Sequence, residues 1–375
     1  MTRLVALDLP GGESFVRHVV DIWSMGDAVL PIDQRLPPAA KTRLLELLGA
    51  HEVIDATGHA SLATGRALES GDALVIATSG STGDPKGVVH THSSIAASSR
   101  ASIARLNGSS SDHWLACLPL AHIGGFSIIS RALACGASLT VRPAADPDSI
   151  AAAARSGCNR TSLVPTLLGR VDVTPFETVL IGGGRPPIDR PANVIATYGL
   201  TETGSGVVYD GWALDGVELS IGDEDEVLVR GPMLMRGYRD GITSIDAGGW
   251  LHTRDSGSLD RDGRLSVSGR LDDLIKTGGE KVWPEQVERV LDEHYPDRSS
   301  CIVGVPDAEW GESVVLVTDR PGLVLDEVRG RIKEYLPARC APKRIVVADT
   351  PRTTNGKIRR LDARAIAERA LDDAD

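Results

Sequence analysis

No two of the five cysteines (Cys117, Cys135, Cys158, Cys301 and Cys340) form a C-x-x-C pair, and their number is odd. That disfavours a disulfide framework or a cysteine-built zinc site, and leads us to expect reduced thiols in a cytoplasmic protein. Long apolar runs are also missing. The opening "MTRLVALDLPGGESF" contains none, so neither a signal peptide nor a membrane span is expected. Positive charge is scarce as well. Forty Lys and Arg face 51 Asp and Glu, for a net charge of −11, which argues against nucleic acid or an anionic membrane as partner. There is no G-x-S-x-G, which disfavours a hydroxyl-nucleophile hydrolase, and no internal repeat or low-complexity tract.

What remains is the composition of a globular protein. At 375 residues the chain can hold two domains and a sizeable core. "GDALVIATS" is a continuous apolar run that breaks into "TSGSTGDPKG" (Thr78 to Gly87), as a buried strand does on entering a phosphate site. "SSIAASSRASIARL" then reads as a helix. "HWLACLPLAHIGG", "TSLVPT", "ETVLIGGG" and "NVIATYGLTETG" repeat the pattern of an apolar strand ending in a polar, glycine-bearing loop. This is an α/β architecture, whose ligands bind outside the carboxyl ends of the strands. From Glu226 the texture changes to short strands and turns. After "GRLDDLIKTGG" come an amphipathic helix, "PEQVERVLDEH", two strands, a turn "TTNGK" and a last helix.

The ten residues from Thr78 do not make a nucleotide P-loop, which needs lysine directly after glycine at a helix start. Here Lys86 follows Pro85. The backbone N–H groups and the hydroxyls of Thr78, Ser79, Ser81 and Thr82 are suited to cradle phosphate, and Gly80, Gly83 and Gly87 let the backbone approach closely. A flexible polar linker is the plain alternative.

The decapeptide resembles the phosphate loop of the adenylate-forming enzymes, which include acyl-CoA synthetases, luciferases and adenylation domains. "GDAVLPIDQRLP", "YGLTETG", "GWLHTRD", "GRLDDLIKTGGEKVWPEQVE" and "PRTTNGKIRR" resemble that superfamily's other motifs, in the same order and over nearly the whole chain. The resemblance implies a large N-terminal domain at residues 1–271, made of αβ layers plus a small β subdomain. A small, mobile α+β domain at 272–375 would follow, with Asp272 as hinge. It also implies ATP, Mg²⁺ and coenzyme A as cofactor and co-substrates, and a small carboxylic acid as substrate.

Roles follow by the same resemblance. Ser79, Gly80, Ser81, Thr82, Gly83 and Lys86 would clamp the phosphates with Thr78. Tyr198 would lie against adenine beside Gly182, Gly183 and Gly184, with Gly199 part of the same AMP site; Asp255 would accept from the ribose hydroxyls, and Arg270 would donate to ribose or phosphate oxygens. Thr201 would bond the α-phosphate and Glu202 would ligate Mg²⁺. Lys357, projected by the tight-turn dipeptide Asn355-Gly356, would bridge the acid and the α-phosphate during adenylation only. Gly278, Gly279 and Glu280 would then line the coenzyme A channel, and His122 would stand at the mouth of the acid pocket. His90 and His92, on an expected helix start, read as structural or solvent-facing.

The N-terminal portion is short, about seventy residues before the loop. With "SLVPT", "VLIGGG" and "LDGVELSI" this resembles the o-succinylbenzoate–CoA ligases, whose aromatic diacid needs polar donors; Thr166, Ser205 and Arg185 are the candidates. Arg254 stands where the superfamily has glycine, a change expected only to alter a surface turn. A general or aromatic acyl-CoA synthetase shares every ATP and CoA motif, and an enzyme loading a separate carrier protein is a further alternative. A non-catalytic nucleotide-binding scaffold would be expected to have lost Lys357 or Glu202. The sequence leaves a homodimer open.

Overall fold

A computed structural model describes residues 2–78, 85–187, 189–295, 299–319, 321–352 and 358–372. The chain divides into two compact units. The larger comprises residues 1–220, 228–253 and 263–265; the smaller comprises 221–227, 254–262 and 266–375.

The first sheet of the larger unit begins with β1 (Leu4–Asp8), β2 (Ala28–Pro31), β3 (Glu52–Asp55), β4 (Gly58–Ser61), β5 (Asp72–Thr78) and β6 (Lys86–Thr91). β1 pairs in parallel with β2 and β3, and β2 with β5. Parallel neighbours need crossovers, and these carry α1 (Glu13–Ser24) and α2 (Pro38–Leu48). Phe15, Val19 and Ile22 recur at helical spacing and form the buried stripe of α1. α2 starts on Pro38 and stops at Gly49, whose φ of +66° suits a glycine C-cap.

β5 turns back antiparallel into β6, with Thr78 facing Lys86. The phosphate-loop candidate therefore connects two strands of a hairpin. The sequence led us to expect a helix there; β6 intervenes because "KGVVHT" carries β-branched residues that bury between β5 and another strand. α3 (His92–Arg105) follows, started by a capping box of Thr91 and Ser94.

The second sheet contains β7 (His113–Ala116), β8 (Ser138–Val141), β9 (Arg160–Leu163), β10 (Thr178–Ile181), β11 (Val194–Leu200), β12 (Ser205–Tyr209) and β13 (Trp212–Ala213). Its order is β13-β12-β11-β10-β9-β7-β8. The core from β8 to β11 is parallel. α4 (Ile123–Cys135), α5 (Pro147–Arg155) and α6 (Pro165–Leu168) lie in the connections.

Next come β14 (Glu218–Ile221), β15 (Glu226–Arg230), β16 (Gly237–Tyr238), β17 (Leu251–Leu259) and β18 (Leu265–Arg270). β16 completes the first sheet as β16-β6-β5-β2-β1-β3-β4; the other four form a sheet of order β14-β15-β17-β18. Arg254 lies inside β17, so the expectation of a surface turn there is corrected.

The smaller unit continues with β19 (Ile275–Thr277), β20 (Glu280–Val282), α7 (Pro284–His294), β21 (Ser300–Asp307), β22 (Gly311–Thr318), α8 (Leu325–Tyr335), β23 (Arg344–Val347) and α9 (Arg360–Asp372). Val287, Val290 and Leu291 of α7 pack with Ile302, Val314 and Leu316, the face expected from their spacing. All five cysteines are free. No helix among the described residues is long and apolar enough to cross a membrane.

Candidate active site

β9, β10 and β11 run parallel and in register, so their carboxyl ends open on one edge of the second sheet. The segments that follow them hold most of the expected residues: Thr166 on α6, Gly182 to Gly184 with Arg185, and Thr201 and Glu202 in the 3-10 turn Thr201–Thr203. β7 pairs parallel with β9, and the loop beyond it leads to His122, the N-cap residue of α4. Tyr198 and Gly199 end β11 at a bulge, where a Cβ on Gly199 would stand 2.1 Å from the Ser205 carbonyl oxygen. Only glycine fits so close to a facing strand.

The Thr201–Glu202 turn is held from the first sheet. His90 Nε2–H donates to the Thr201 carbonyl at 2.7 Å, and the Met235 N–H donates to the Glu202 carbonyl at 2.8 Å. His90 is fully buried in β6, not on a helix start, and burial pushes its pKa down to about 4. It stays neutral, with the Nε2–H tautomer set by that carbonyl. His92 opens α3 and packs edge-on against Trp23.

Tyr238, which the sequence did not single out, joins two of the expected residues. Its hydroxyl donates to Glu202 Oε1 at 2.8 Å, and Lys86 Nζ lies 5.1 Å from its ring centroid. Burial, with the Glu202 carboxylate beside it, pushes the phenol up to about 12, so it remains a donor. Thr78 closes the hairpin by donating from Oγ1 to the Lys86 carbonyl at 3.4 Å. Ser79, Gly80, Ser81, Thr82 and Gly83 lie outside the described residues.

His122 Nε2 lies 3.1 Å from Arg35 Nη2 and 3.6 Å from Asp33 Oδ2. Burial works against ionisation of Asp33, but hydrogen bonds from His122 and Arg35 outweigh it and hold the carboxyl far below the usual range.

The sequence also passed over Arg131, in the middle of α4. It is 3% exposed, its Nη2 donates to Ser205 Oγ at 2.9 Å, and its guanidinium lies 5.7 Å from the Trp114 ring. Nε and Nη1 are buried without a partner, and no carboxylate pairs with it among the described residues. The groups nearby are neutral hydroxyls: Ser98 Oγ is 3.4 Å from Ser205 Oγ, and Ser102 Oγ is 2.8 Å from the Tyr209 hydroxyl. A buried cation is strongly unfavourable unless something anionic meets it. The signal available in the sequence was a charged residue alone in "IGGFSIISRALAC". Of the three pocket candidates, Ser205 is buried on Arg131, while Thr166 and Arg185 are exposed.

In the smaller unit, Arg270 Nη1 donates to the buried Asp255 at 3.0 Å, and Asp272 sits in the 3-10 turn Leu271–Asp273. Gly278 and Gly279 form the two-residue turn of the β19–β20 hairpin, with φ of +60° and +78°. Two positive φ values in a tight hairpin require such residues. Glu280 opens β20 and pairs with Arg339 at 2.5 Å. Lys357 lies outside the described residues; on either side of its segment Arg352 and Ile358 form an antiparallel bridge. Next to it Arg360, its side chain 12% exposed, lies among three carboxylates, Asp273 at 3.2 Å, Glu285 at 3.4 Å and Glu288 at 2.5 Å.

The chain matches the family model described as AMP-binding enzyme over residues 65–239, and that of the AMP-binding enzyme C-terminal domain over 286–357. A probable 2-succinylbenzoate–CoA ligase of Mycobacterium tuberculosis is 34% identical over 377 residues, spanning 92% of this chain and 96% of the relative. A 2-succinylbenzoate–CoA ligase of Listeria monocytogenes is 31% identical over 320 residues, spanning 77% and 68%. The solved o-succinylbenzoate CoA synthetase of Bacillus subtilis, in complex with its acyl-adenylate intermediate, superimposes with a TM-score of 0.85 at 25% identity, over 96% of this chain and 88% of that one.

Proposed function

The chain belongs to the AMP-binding enzyme family, and from that premise we propose that it is an AMP-forming acid–CoA ligase acting on 2-succinylbenzoate. The acid's carboxylate attacks the α-phosphorus of ATP and pyrophosphate leaves, giving an acyl-adenylate. The thiol of coenzyme A then attacks the acyl carbonyl, and AMP departs with the bonding pair. The first transition state gathers charge on phosphate oxygens, so donors placed there in advance lower the barrier.

Thr201, at the carboxyl edge of β11, supplies a hydroxyl for the α-phosphate, and the 78–83 segment with Lys86 clamps the phosphates that leave. Gly182 to Gly184, Tyr198 and Gly199 form the adenine side, and Asp255 with Arg270 the ribose side. Glu202 fits a hard cation: its carboxylate is only half-buried and a neutral phenol bonds one oxygen. Mg²⁺ held there would neutralise phosphate charge. We place the hinge at Asp272, between a domain at 1–271 and a mobile one at 272–375. Lys357 would serve adenylation, and Gly278, Gly279 and Glu280 the thioester step.

The observation that carries the choice of acid is the buried, uncompensated Arg131 on Ser205. A monocarboxylic acid spends its one carboxylate on phosphorus and leaves this cation unmet, whereas a diacid brings a second carboxylate for it. His122, Thr166 and Arg185 would shape the rest of the pocket. The test is an assay with ATP, coenzyme A and 2-succinylbenzoate beside benzoates and fatty acids; simple acids used far better than the diacid would overturn the reading. Lys357→Ala should lower ATP–pyrophosphate exchange by about 100-fold or more and spare thioester formation from synthetic acyl-adenylate. Equal loss of both steps would refute the division of labour.

A further inference from the structure

Arg254 sits within β17 at a φ of +61°, in the left-handed region where an L side chain is strained. Its N–H donates to Glu226 Oε1 at 2.8 Å, which holds the backbone turn from β15. The side chain reaches out of the strand, and Nη2 donates to Asp272 Oδ1 at 2.6 Å. The other Asp272 oxygen lies 3.7 Å from Arg270 Nη2, and Arg270 in turn donates to Asp255. Asp272 is thus held between two guanidinium groups, in a turn of only three residues. Glycine would take the same backbone without strain, so a strained arginine points to a task for the side chain.

We propose that Arg254 is a positioning residue for the hinge, holding Asp272 and setting how readily the Leu271–Asp273 turn rearranges between the two half-reactions. The inference rests on the hinge reading above. With side-chain exposures of 56% and 54% the ion pair is open to solvent, so its hold is weak and sensitive to salt. A weak hold suits a contact that must break in every turnover.

Arg254→Gly removes the side chain while suiting the backbone, so its Tm is expected to equal or exceed that of the unaltered protein. The readout is the ratio of two rates, ATP–pyrophosphate exchange and thioester formation from synthetic acyl-adenylate. In the unaltered protein this ratio should shift about threefold between low and high salt, since screening weakens the pair. In R254G the ratio should be independent of salt and equal the high-salt value. A R254G protein with the original ratio and the original salt response overturns the proposal. Asp272→Pro distinguishes the two levels of inference. Equal loss of both rates removes the hinge and this proposal with it. Loss of one rate alone, with R254G silent, leaves the hinge standing and gives Arg254 no part in it.

Discussion

Two arginines largely withdrawn from water differ in what meets their charge. Arg360, in the smaller unit, meets three carboxylates and also donates to the Ile302 carbonyl at 2.7 Å. Arg131, in the larger unit, meets one serine hydroxyl and the face of a tryptophan. A desolvated charge must be compensated. Where the fold supplies the counter-charge, the cation joins α9 to α7 and β21 and is structural. Where the fold supplies none, we propose that the compensation comes from a ligand's carboxylate.

Substitution by a residue of similar length separates the two cases. Arg360→Met should destabilise the smaller unit by about 3–5 kcal/mol, read by denaturant unfolding, because three carboxylates are left together. The loss carries a pH signature. Burial pushes Glu285 up to about 7, against the pull of Arg360, with Glu288 adding to the rise. An acid whose folded-state pKa is raised loses stability as pH climbs from its unfolded value of about 4.5 through its folded value. The variant should therefore recover as pH falls from 7 towards 5.

Arg131→Met should do the reverse. Its stability is expected to hold or rise, because an unpaired charge leaves the interior. Its kcat/KM for the diacid should fall about 100-fold, with simple benzoates little affected, as a panel of acids would show. Loss of stability with unchanged acid preference would make Arg131 structural and erase the contrast.

The smallest effect concerns His90, buried neutral beneath Thr201 with a pKa of about 4. A histidine whose folded-state pKa is depressed contributes fully above its unfolded value of about 6.5, and that contribution is lost as pH falls towards 4. Between pH 7 and 5 the larger unit should lose about 2 kcal/mol through this group. His90→Gln should flatten the slope in pH-dependent unfolding.

Much of the architecture was legible in advance, because short apolar runs ending in glycine and hydroxyl residues mark strands feeding a ligand edge. Glu202 and Lys86 belong to contiguous motifs, and those motifs could be read as such. β6 was missed because six residues after a polar loop carry too little periodicity to tell strand from helix start. Tyr238 was missed for another reason: it gains meaning only through Glu202, 36 residues away in sequence.

Composition and motif order alone determined the α/β class, the adenylate-forming resemblance and the residue types available for phosphate. These depend on local spacing, and spacing is written along the chain. Which charges are compensated was decided only by the tertiary structure. Arg131 and Ser205 stand 74 residues apart, and Arg360 and Glu288 stand 72 apart. Burial and pairing over such separations arise when helices close onto sheets, so two arginines alike in sequence end in opposite surroundings, one among carboxylates and one with none within the described residues.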